Sequence, residues 1–243
     1  MRKKCGRMGA SMKQARKKRL VLFDIDGTLL DTHGFGREAF IRGLARVTGE
    51  RDGLDYVSFA GNTDRNVLDQ VMAERGLRLD AADIERIFSW VAEELRNLLG
   101  ENPAKEIAGA RGFLDLLAAK GAALGLVTGN IRACAYLKLG SVGFDRFFRF
   151  GGFGDDHPER EKIARSALAA AREAGLGPEE TAACLVGDTP FDVAAGRAVG
   201  LPVIGVATGT YGEAALREAG ASVVAPDLTE AGRLWAWMEE TLG

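Results

Sequence analysis

The chain of 243 residues has few of the residues that build disulfide frameworks or zinc sites. Its three cysteines, Cys5, Cys134 and Cys184, are odd in number, lie far apart and form no CxxC pair. The sequence therefore predicts neither a disulfide framework nor a zinc site, and we expect Cys134 and Cys184 to be small core residues. The P-loop pattern is absent, and the glycines of "GGFGDD" at 151–156 lack the GxGxxG spacing, so no nucleotide cofactor is expected.

Long hydrophobic runs are absent as well. No segment approaches the roughly 18 uninterrupted apolar residues that a membrane-spanning helix needs. The basic start of the chain leads into only four apolar residues, 20–23, which are too few for the core of a signal peptide. We therefore expect a cytoplasmic protein without a membrane partner.

Acidic residues are missing from the start of the chain, although the net charge of the whole is only −2. Residues 1–19 hold nine lysines or arginines, which leaves 23 basic against 34 acidic residues in the remainder. We expect residues 1–19 to form a disordered basic tail, with a polyanion-binding arm or a targeting peptide as alternatives. The acidic remainder is a poor surface for nucleic acid. Nothing in the sequence indicates the oligomeric state.

Short apolar runs alternate with longer amphipathic stretches over most of the chain. The predicted strands are residues 20–25, 123–127, 147–150, 183–186, 203–206 and 222–224. The helices predicted between and after them are residues 131–139, 159–174, 191–199, 211–219 and 229–242. This alternation with short connections predicts an α/β fold, a Rossmann-like parallel sheet with helices on both faces in three α/β/α layers.

The segment between Asp31 and Pro103 departs from this alternation. It contains three helical stretches, which we place at residues 36–48, 65–75 and 81–98, and no convincing strand. We therefore expect an all-helical cap domain over residues 34–103, inserted into a core formed by residues 20–33 and 104–243. Glycine, asparagine and proline near residues 100–103 mark the return to the core.

Polar residues follow three of the predicted strands. In an open parallel sheet, the groups at the carboxyl ends of the strands gather at one edge. The residues in question are Asp24, Asp26, Gly27 and Thr28 at the first strand, Thr128, Gly129 and Asn130 at the second, and Gly187, Asp188, Thr189 and Asp192 after Val186. We therefore expect several carboxylates and a threonine hydroxyl to converge from separate strands.

Carboxylates that converge must be neutralised by protons or by a cation, and oxygen ligands without histidine or cysteine beside them favour Mg²⁺. A carboxylate held by Mg²⁺ can attack phosphorus and form an aspartyl-phosphate, while a second acid protonates the leaving group and later deprotonates water. Asp24 and Asp26 stand two residues apart and could address one substrate. Thr128, Gly129, Asn130 and the free N–H groups that start the following helix would bind the phosphoryl oxygens.

The stretches "DIDGTLLD", "LVTGN" and "LVGDTPFDVAAGRAVG" occur in this order and resemble the motifs of the haloacid dehalogenase superfamily of phosphohydrolases, over about residues 20–225. The resemblance implies that Asp24 is the nucleophile, Asp26 the general acid and base, and Thr128 a phosphate binder. It also implies that Asp24, Asp188 and the backbone carbonyl of Asp26 bind Mg²⁺, with Asp192 as a supporting acid. An exposed turn or a helix cap would explain one of these motifs alone, but not all three together.

One element of the family pattern is missing. The family usually supplies a lysine, often followed by proline, before the helix that precedes the last acidic motif, whereas this chain has "FGDDHPEREKIARSAL". Arg160 and Lys162 are the candidates for this cation, and we favour Arg160 because it resembles relatives with a "DH..R" stretch. We expect His157 to be a loop or capping residue and assign no role to His33.

Substrate choice is expected to depend on the cap, because a lid over the site excludes water and contacts the rest of the substrate. The stretch "FAGNTDRNVL" at 59–68 resembles the cap loop of relatives similar to phosphoglycolate phosphatase. We expect Arg65 to lie near the distal anion of the substrate, while helix capping alone would explain Asn62, Thr63 and Asp64.

The sequence as a whole thus predicts a Mg²⁺-dependent phosphatase that acts on a small phosphorylated metabolite, of the phosphoglycolate or sugar phosphate class, through phospho-Asp24. A phosphomutase of the beta-phosphoglucomutase type is the nearest alternative, and a non-catalytic binding module on the same fold is another. Dehalogenation is disfavoured, because that chemistry needs no acid for the leaving group and would leave Asp26 unexplained.

Overall fold

The computed structural model describes residues 17–242. Cys5 and most of the predicted basic tail lie outside the described residues. Lys18 and Arg19, which the sequence analysis assigned to the tail, form the start of the first strand instead. In the described part of the chain, no helix has the length and apolar character that crossing a membrane requires.

A six-stranded, all-parallel sheet forms the centre of the molecule, in the order β5-β4-β1-β6-β7-β8. Its strands are β1 (Lys18–Phe23), β4 (Ala123–Val127), β5 (Gly151–Gly152), β6 (Thr181–Gly187), β7 (Val203–Val206) and β8 (Val223–Ala225). A second, antiparallel pair joins β2 (Leu30–Asp31) to β3 (Lys105–Glu106). The parallel α/β fold predicted from the sequence is confirmed.

Helices cover both faces of the sheet, and the alternation of side chains along β1 separates the two layers. Val21 and Phe23 belong to the larger core, which includes α4 (Ala110–Ala119), α5 (Arg132–Ser141) and α9 (Ala231–Thr241). Leu20 and Leu22 face the other core, which is formed with α6 (Arg160–Glu173), α7 (Pro190–Ala198) and α8 (Glu213–Ala219). Burial of both faces accounts for the nearly continuous apolar sequence of β1.

The three remaining helices lie between β2 and β3: α1 (Phe35–Thr48), α2 (Asp64–Arg75) and α3 (Ala81–Glu101). We call them the cap helices. Thr63 caps α2 by accepting a hydrogen bond from the Asn66 N–H, and Asp80 and Asp83 form a capping box on α3. The β2–β3 pair holds the two ends of this segment together, since Leu30 pairs with Glu106 and Asp31 with Lys105. The exact division of the chain at residues 34 and 103 stays a prediction.

Two features differ from the sequence-based prediction. Residues 147–150 are not a strand: a short 3₁₀ helix, Asp145–Phe147, precedes the strand, which is formed by Gly151–Gly152 instead. Helix α4 was not predicted at all, although its buried residues Phe113, Leu114 and Leu117 have the spacing of one helical face. The other helices and strands of the sheet lie within a few residues of their predicted bounds.

Candidate active site

The carboxyl end of β1 presents Asp24 and Asp26 at the edge where β4 and β6 also end. The Asp24 N–H donates a hydrogen bond to the Val186 carbonyl of β6, 2.9 Å away, so the chain leaves the sheet only after Asp24. The turn that follows passes through Gly27, whose φ of 75° favours glycine. Asp24 is buried, whereas the side chain of Asp26 is 41% exposed.

An acidic cluster forms on one side of this edge. It consists of Asp24, Asp188 and Asp192 with the guanidinium of Arg160. Oxygen atoms of the three carboxylates lie within 4.8 Å of one another, and all three residues are buried. Three carboxylates and one guanidinium leave two formal negative charges uncompensated, which a divalent cation would balance.

In Asp192, a member of the acidic cluster, both carboxylate oxygens already have partners within the protein. Its Oδ2 accepts hydrogen bonds from the Thr189 N–H at 3.0 Å and the Thr189 hydroxyl at 2.7 Å, as part of the capping box of α7, and its Oδ1 pairs with Arg160. Asp192 therefore anchors the start of α7 and the arginine. Its position agrees with the supporting role that the family resemblance implied.

Asp188 is held rigidly by backbone that comes very close. A Cβ atom on Gly209 would lie 1.8 Å from Asp188 Oδ2, and one on Gly27 would lie 2.5 Å from the same atom. The Thr28 hydroxyl donates to Asp188 Oδ1 at 3.1 Å. This cradle directs the carboxylate towards Asp24. Asp24 and Asp188 thus provide the paired, preoriented oxygen ligands that suit Mg²⁺.

Burial and crowding make both carboxylates difficult to ionise without a cation. Burial, with additions from Asp192 and Asp26, raises the pKa of Asp24 well above its usual range, and Arg160 opposes this only in part. Burial, with Asp192 and Asp24, likewise raises the pKa of Asp188 against the opposing effects of Thr28 and Arg160. A bound divalent cation would favour the ionised form of both groups.

Arg160, and not Lys162, reaches the acidic cluster. Arg160 begins α6, its side chain is 9% exposed, and its Nη1 lies 3.4 Å from Asp24 Oδ1. Lys162 instead pairs with Glu159 at 2.9 Å, with half of each side chain exposed. Of the two candidate cations, the structure therefore brings only Arg160 to the presumed nucleophile.

A second group, which we call the lysine cluster, surrounds Asp26. Lys138 of α5 donates to Asp26 Oδ1 at 2.8 Å and to Asp26 Oδ2 at 2.7 Å, and the side-chain amide of Asn130 also donates to Oδ2 at 2.7 Å. Burial alone would lower the pKa of Lys138, but Asp26 and Asp64 outweigh it and raise that pKa, so the lysine is an ammonium. The sequence analysis missed Lys138.

The loop after β4 links the lysine cluster to the cap helices. The fully buried Thr128 accepts hydrogen bonds from Asn130 at its Oγ1, and Gly129 accepts one from the Asp64 N–H at 2.8 Å. Two of the N–H groups at the start of α5 that were expected to be free have partners: the Ile131 N–H donates to Asp64 and the Arg132 N–H to Asp155. These two amides are therefore engaged by carboxylates rather than directed at a ligand.

Both clusters line one cavity of about 440 Å³ between the sheet edge and the cap helices. Gly129 and Asn130 line it from the core, Phe59 and Asn62 from the cap segment. Arg37 of α1 is a further basic residue in its wall, and it was not predicted. Its Nη2 donates to the Gly53 carbonyl at 2.7 Å and to Asp55.

The structure does not bring Arg65 to this cavity: its Nε donates to Asp69 at 3.0 Å on the surface of α2, away from the residues that form the wall. Neither His33 nor His157 lines the cavity. Cys134 and Cys184 are buried free thiols, as predicted, and burial raises the pKa of each.

A buried pair of aspartates, a supporting acid with an arginine, and a second carboxylate with its own cation form an arrangement suited to phosphoryl transfer on a parallel sheet. Residues 21–206 match the family model described as haloacid dehalogenase-like hydrolase, and the chain belongs to this family. It is an enzyme of the family's phosphatase and phosphomutase type.

Relatives within this family carry several activities. The chain is 29% identical to a phosphoglycolate phosphatase of Agrobacterium fabrum over 196 residues, covering 78% of this chain and 81% of the relative. It is 30% identical to a beta-phosphoglucomutase of Mycobacterium bovis, covering 88% and 91% of the two chains. The crystal structure of a hydrolase from Pseudomonas syringae superposes with a TM-score of 0.68 at 21% identity, covering 93% of this chain and all of that one.

Proposed function

We propose that the protein is a Mg²⁺-dependent phosphatase that hydrolyses a small phosphorylated metabolite through a phosphoryl group carried on Asp24. The observation that carries the proposal is the contrast between two neighbouring carboxylates. Asp24 is buried beside Arg160 and Asp188, whereas Asp26 opens into the cavity and is held by Lys138. This contrast supports a role for Asp24 in attacking phosphorus and for Asp26 in moving a proton.

The residues that fit a magnesium ion are Asp24 and Asp188, joined by the backbone carbonyl of Asp26 as the family resemblance implies. Their oxygen-only donor set and the net negative charge of the acidic cluster suit that ion. When bound, Mg²⁺ would reduce the repulsion between the nucleophile and the phosphoryl oxygens. Arg160 would contribute in the same direction, because its guanidinium already lies beside Asp24.

The reaction would proceed in two steps. In the first, an oxygen of Asp24 attacks phosphorus, the bond between phosphorus and the ester oxygen breaks, and Asp26, which enters this step in its protonated form, gives that oxygen its proton. In the second, Asp26 takes a proton from water as the water oxygen attacks phosphorus, and the bond to Asp24 breaks to release orthophosphate. Binding of phosphoryl oxygens by Thr128, Gly129 and Asn130 stays a prediction. Gly129 and Asn130 line the cavity, whereas Thr128 is fully buried and the Asn130 side chain is already engaged by Asp26, Thr128 and Lys138.

The cavity limits the substrate to a small molecule. A volume of about 440 Å³ fits a phosphorylated acid or sugar between the sheet edge and the cap helices. Arg37 is a better candidate than Arg65 for contacting the part of the substrate beyond the phosphoryl group, because Arg37 lines the cavity and its guanidinium is held over the Phe59 ring at 5.7 Å. Phosphoglycolate and sugar phosphates both remain within the proposal.

The test is a phosphate-release screen over a panel of phosphorylated metabolites, with and without Mg²⁺, for the wild type and for Asp24→Asn. We expect release that requires Mg²⁺ and that is lost in the variant. Undiminished turnover by Asp24→Asn would overturn the mechanism.

A phosphomutase is the second candidate, and the similarity to beta-phosphoglucomutases favours it. In that case the phosphoryl group on Asp24 would be returned to a second position of a sugar rather than to water. A requirement for a sugar bisphosphate, and conversion of a sugar phosphate to its isomer without release of phosphate, would identify this activity.

A further inference from the structure

Lys138 occupies an unusual place for a lysine. It lies in the buried stripe of α5, among Cys134, Ala135 and Leu139, and only 4% of its side chain is exposed. Burying an ammonium group costs several kcal/mol unless the group is paired and hydrogen-bonded. A leucine or methionine at this position would complete the apolar stripe without that cost, so packing alone does not explain the lysine.

All three donors of the ammonium group are used inside the site. Two go to the oxygens of Asp26, at 2.8 and 2.7 Å, and the third goes to Asn130 Oδ1 at 2.6 Å. Asn130 in turn donates to Asp26 Oδ2 at 2.7 Å and to Thr128 Oγ1 at 2.8 Å. Lys138 therefore fixes both Asp26 and the amide that supports Asp26, and it has no donor left for a substrate.

Lys138 forms no salt bridge with the acidic cluster within the described residues. Asp24 and Asp192 have Arg160 as their cation, and the salt bridges of Lys138 within the described residues go to Asp26. The contacts of Lys138 reach the group that handles the proton, directly and through Asn130, and do not reach the group that attacks phosphorus.

We propose that Lys138 is a positioning residue that holds the Asp26 carboxylate in the cavity and thereby supports proton transfer to the leaving group. This role rests on the proposed function, because it assigns to Asp26 the task of moving the proton. The role predicts that loss of Lys138 slows transfer of the phosphoryl group to Asp24 from esters whose leaving oxygen needs a proton. The same step should be spared for esters whose leaving group departs as an anion.

The experiment compares Lys138→Met with wild type on two substrates, an alkyl phosphate from the panel above and p-nitrophenyl phosphate, whose nitrophenolate leaves without a proton. We expect kcat/KM, which reports transfer to Asp24 and not the hydrolysis that both substrates share, to fall about 10²-fold for the alkyl phosphate and less than about tenfold for p-nitrophenyl phosphate. Lys120→Met is the matched control, because Lys120 is an exposed lysine outside the cap helices and away from both clusters. This variant should behave as wild type.

Retained turnover of p-nitrophenyl phosphate also shows that the variant is folded. If Lys138→Met does not fold, Asp26→Asn is compared with the double variant Asp26→Asn/Lys138→Met, which removes both charges of the pair. We expect the two to have equal rates, because Lys138 acts only through Asp26. A further fall in the double variant would overturn the proposal.

Two other outcomes would also overturn it, and they are distinguishable from each other. If wild type releases phosphate but Lys138→Met loses equal factors of kcat/KM on both substrates while it remains folded, the positioning role alone is wrong. If wild type releases no phosphate from either ester, the proposed function is wrong, and the positioning role falls with it.

Discussion

The acidic cluster and the lysine cluster lie side by side at one sheet edge, yet their charges are balanced differently. The acidic cluster of Asp24, Asp188, Asp192 and Arg160 is buried and keeps an excess of negative charge. The lysine cluster pairs one partly exposed carboxylate, Asp26, with one ammonium group and is neutral by itself. A cluster with uncompensated negative charge thus adjoins a cluster that already contains its own counter-ion.

The largest effect that would test this contrast is expected from Asp24→Asn. Removing the nucleophilic oxygen should lower kcat by on the order of 10³-fold or more for alkyl and p-nitrophenyl phosphates alike. Steady-state kinetics on both esters measure this, and thermal unfolding serves as the control for the fold. A loss confined to the alkyl ester would mean that the roles of Asp24 and Asp26 are exchanged.

The second effect is expected from Asp26→Asn. Because this change removes the proton carrier and leaves the nucleophile, kcat/KM for an alkyl phosphate should fall about 10²- to 10⁴-fold, and kcat/KM for p-nitrophenyl phosphate should fall much less. Steady-state kinetics on both esters give the ratio of the two losses. Equal losses on the two esters would contradict the assignment of proton transfer to the lysine cluster.

The third prediction concerns the cation and needs no substrate. Mg²⁺ at about 100 times its dissociation constant should stabilise the fold by about 2.7 kcal/mol, which corresponds to a rise in Tm of roughly 5 to 10 °C for a chain of this length. Asp188→Asn should abolish the shift, and Asp26→Asn should retain it, because the Asp26 side chain belongs to the neutral cluster. Differential scanning calorimetry at constant ionic strength checks this, and an unchanged shift in Asp188→Asn would contradict it.

A smaller effect is expected at the far wall of the cavity. Arg37→Met should raise KM about tenfold for substrates that carry a second anionic group and leave p-nitrophenyl phosphate unaffected, since an exposed charged contact contributes on the order of 1 kcal/mol. Arg65→Met is the matched comparison, because Arg65 pairs with Asp69 on the surface. If Arg65→Met shows the larger change in KM, the expectation from the sequence that Arg65 lies near the distal anion of the substrate would be correct.

The smallest effect concerns Asp64, which links the cap helices to the loop of the lysine cluster. Burial, opposed in part by Lys138 and by the Ile131 N–H, raises the pKa of Asp64 to about 6. Because the folded state then binds the proton more tightly than the unfolded state, Asp64 makes stability fall as pH rises from about 4 to about 6, with no further change above that.

Asp64→Asn should remove this part of the pH dependence and keep an acceptor for the Ile131 N–H. From pH 4 to pH 7, the free energy of unfolding of the variant should rise by about 1 to 2 kcal/mol relative to that of the wild type. This is less than the free energy equivalent to the full pKa difference, because Asp64 is only half-buried and solvent screens its charge. Urea unfolding at several pH values measures the difference. Parallel curves for the two proteins would contradict the assignment.

The sequence was most informative about the polar residues that come directly after a strand of the parallel sheet. Asp24, Asp26, Asp188 and Asp192 could be placed together because parallel strands end at one edge, and the structure brings them there. Arg160 and Lys162 are two residues apart at a helix start, and sequence alone favoured one only through resemblance. The helical rotation between them directs one side chain inward to Asp24 and the other to Glu159.

Other features depend on packing that local sequence does not encode. Strand β5 consists of two glycines because α6 approaches it so closely that a Cβ on Gly152 would lie 2.0 Å from the Ile163 carbonyl oxygen. Strand propensity instead favoured the aromatic residues just before it. Lys138 was missed because a lysine in a helix is usually exposed. The available signal was its position four residues after Cys134, on the apolar face of α5.

The pairing of β1 between β4 and β6 has a consequence for how the protein is made. Leu20 pairs with Ala123 on one side and with Ala183 on the other. The hydrogen bond from Lys138 to Asp26 spans 112 positions, and that from Thr28 to Asp188 spans 160. During translation, Asp24 and Asp26 therefore leave the ribosome long before their partners exist, and a nascent or truncated chain that ends before β6 contains both carboxylates without Asp188 and Asp192.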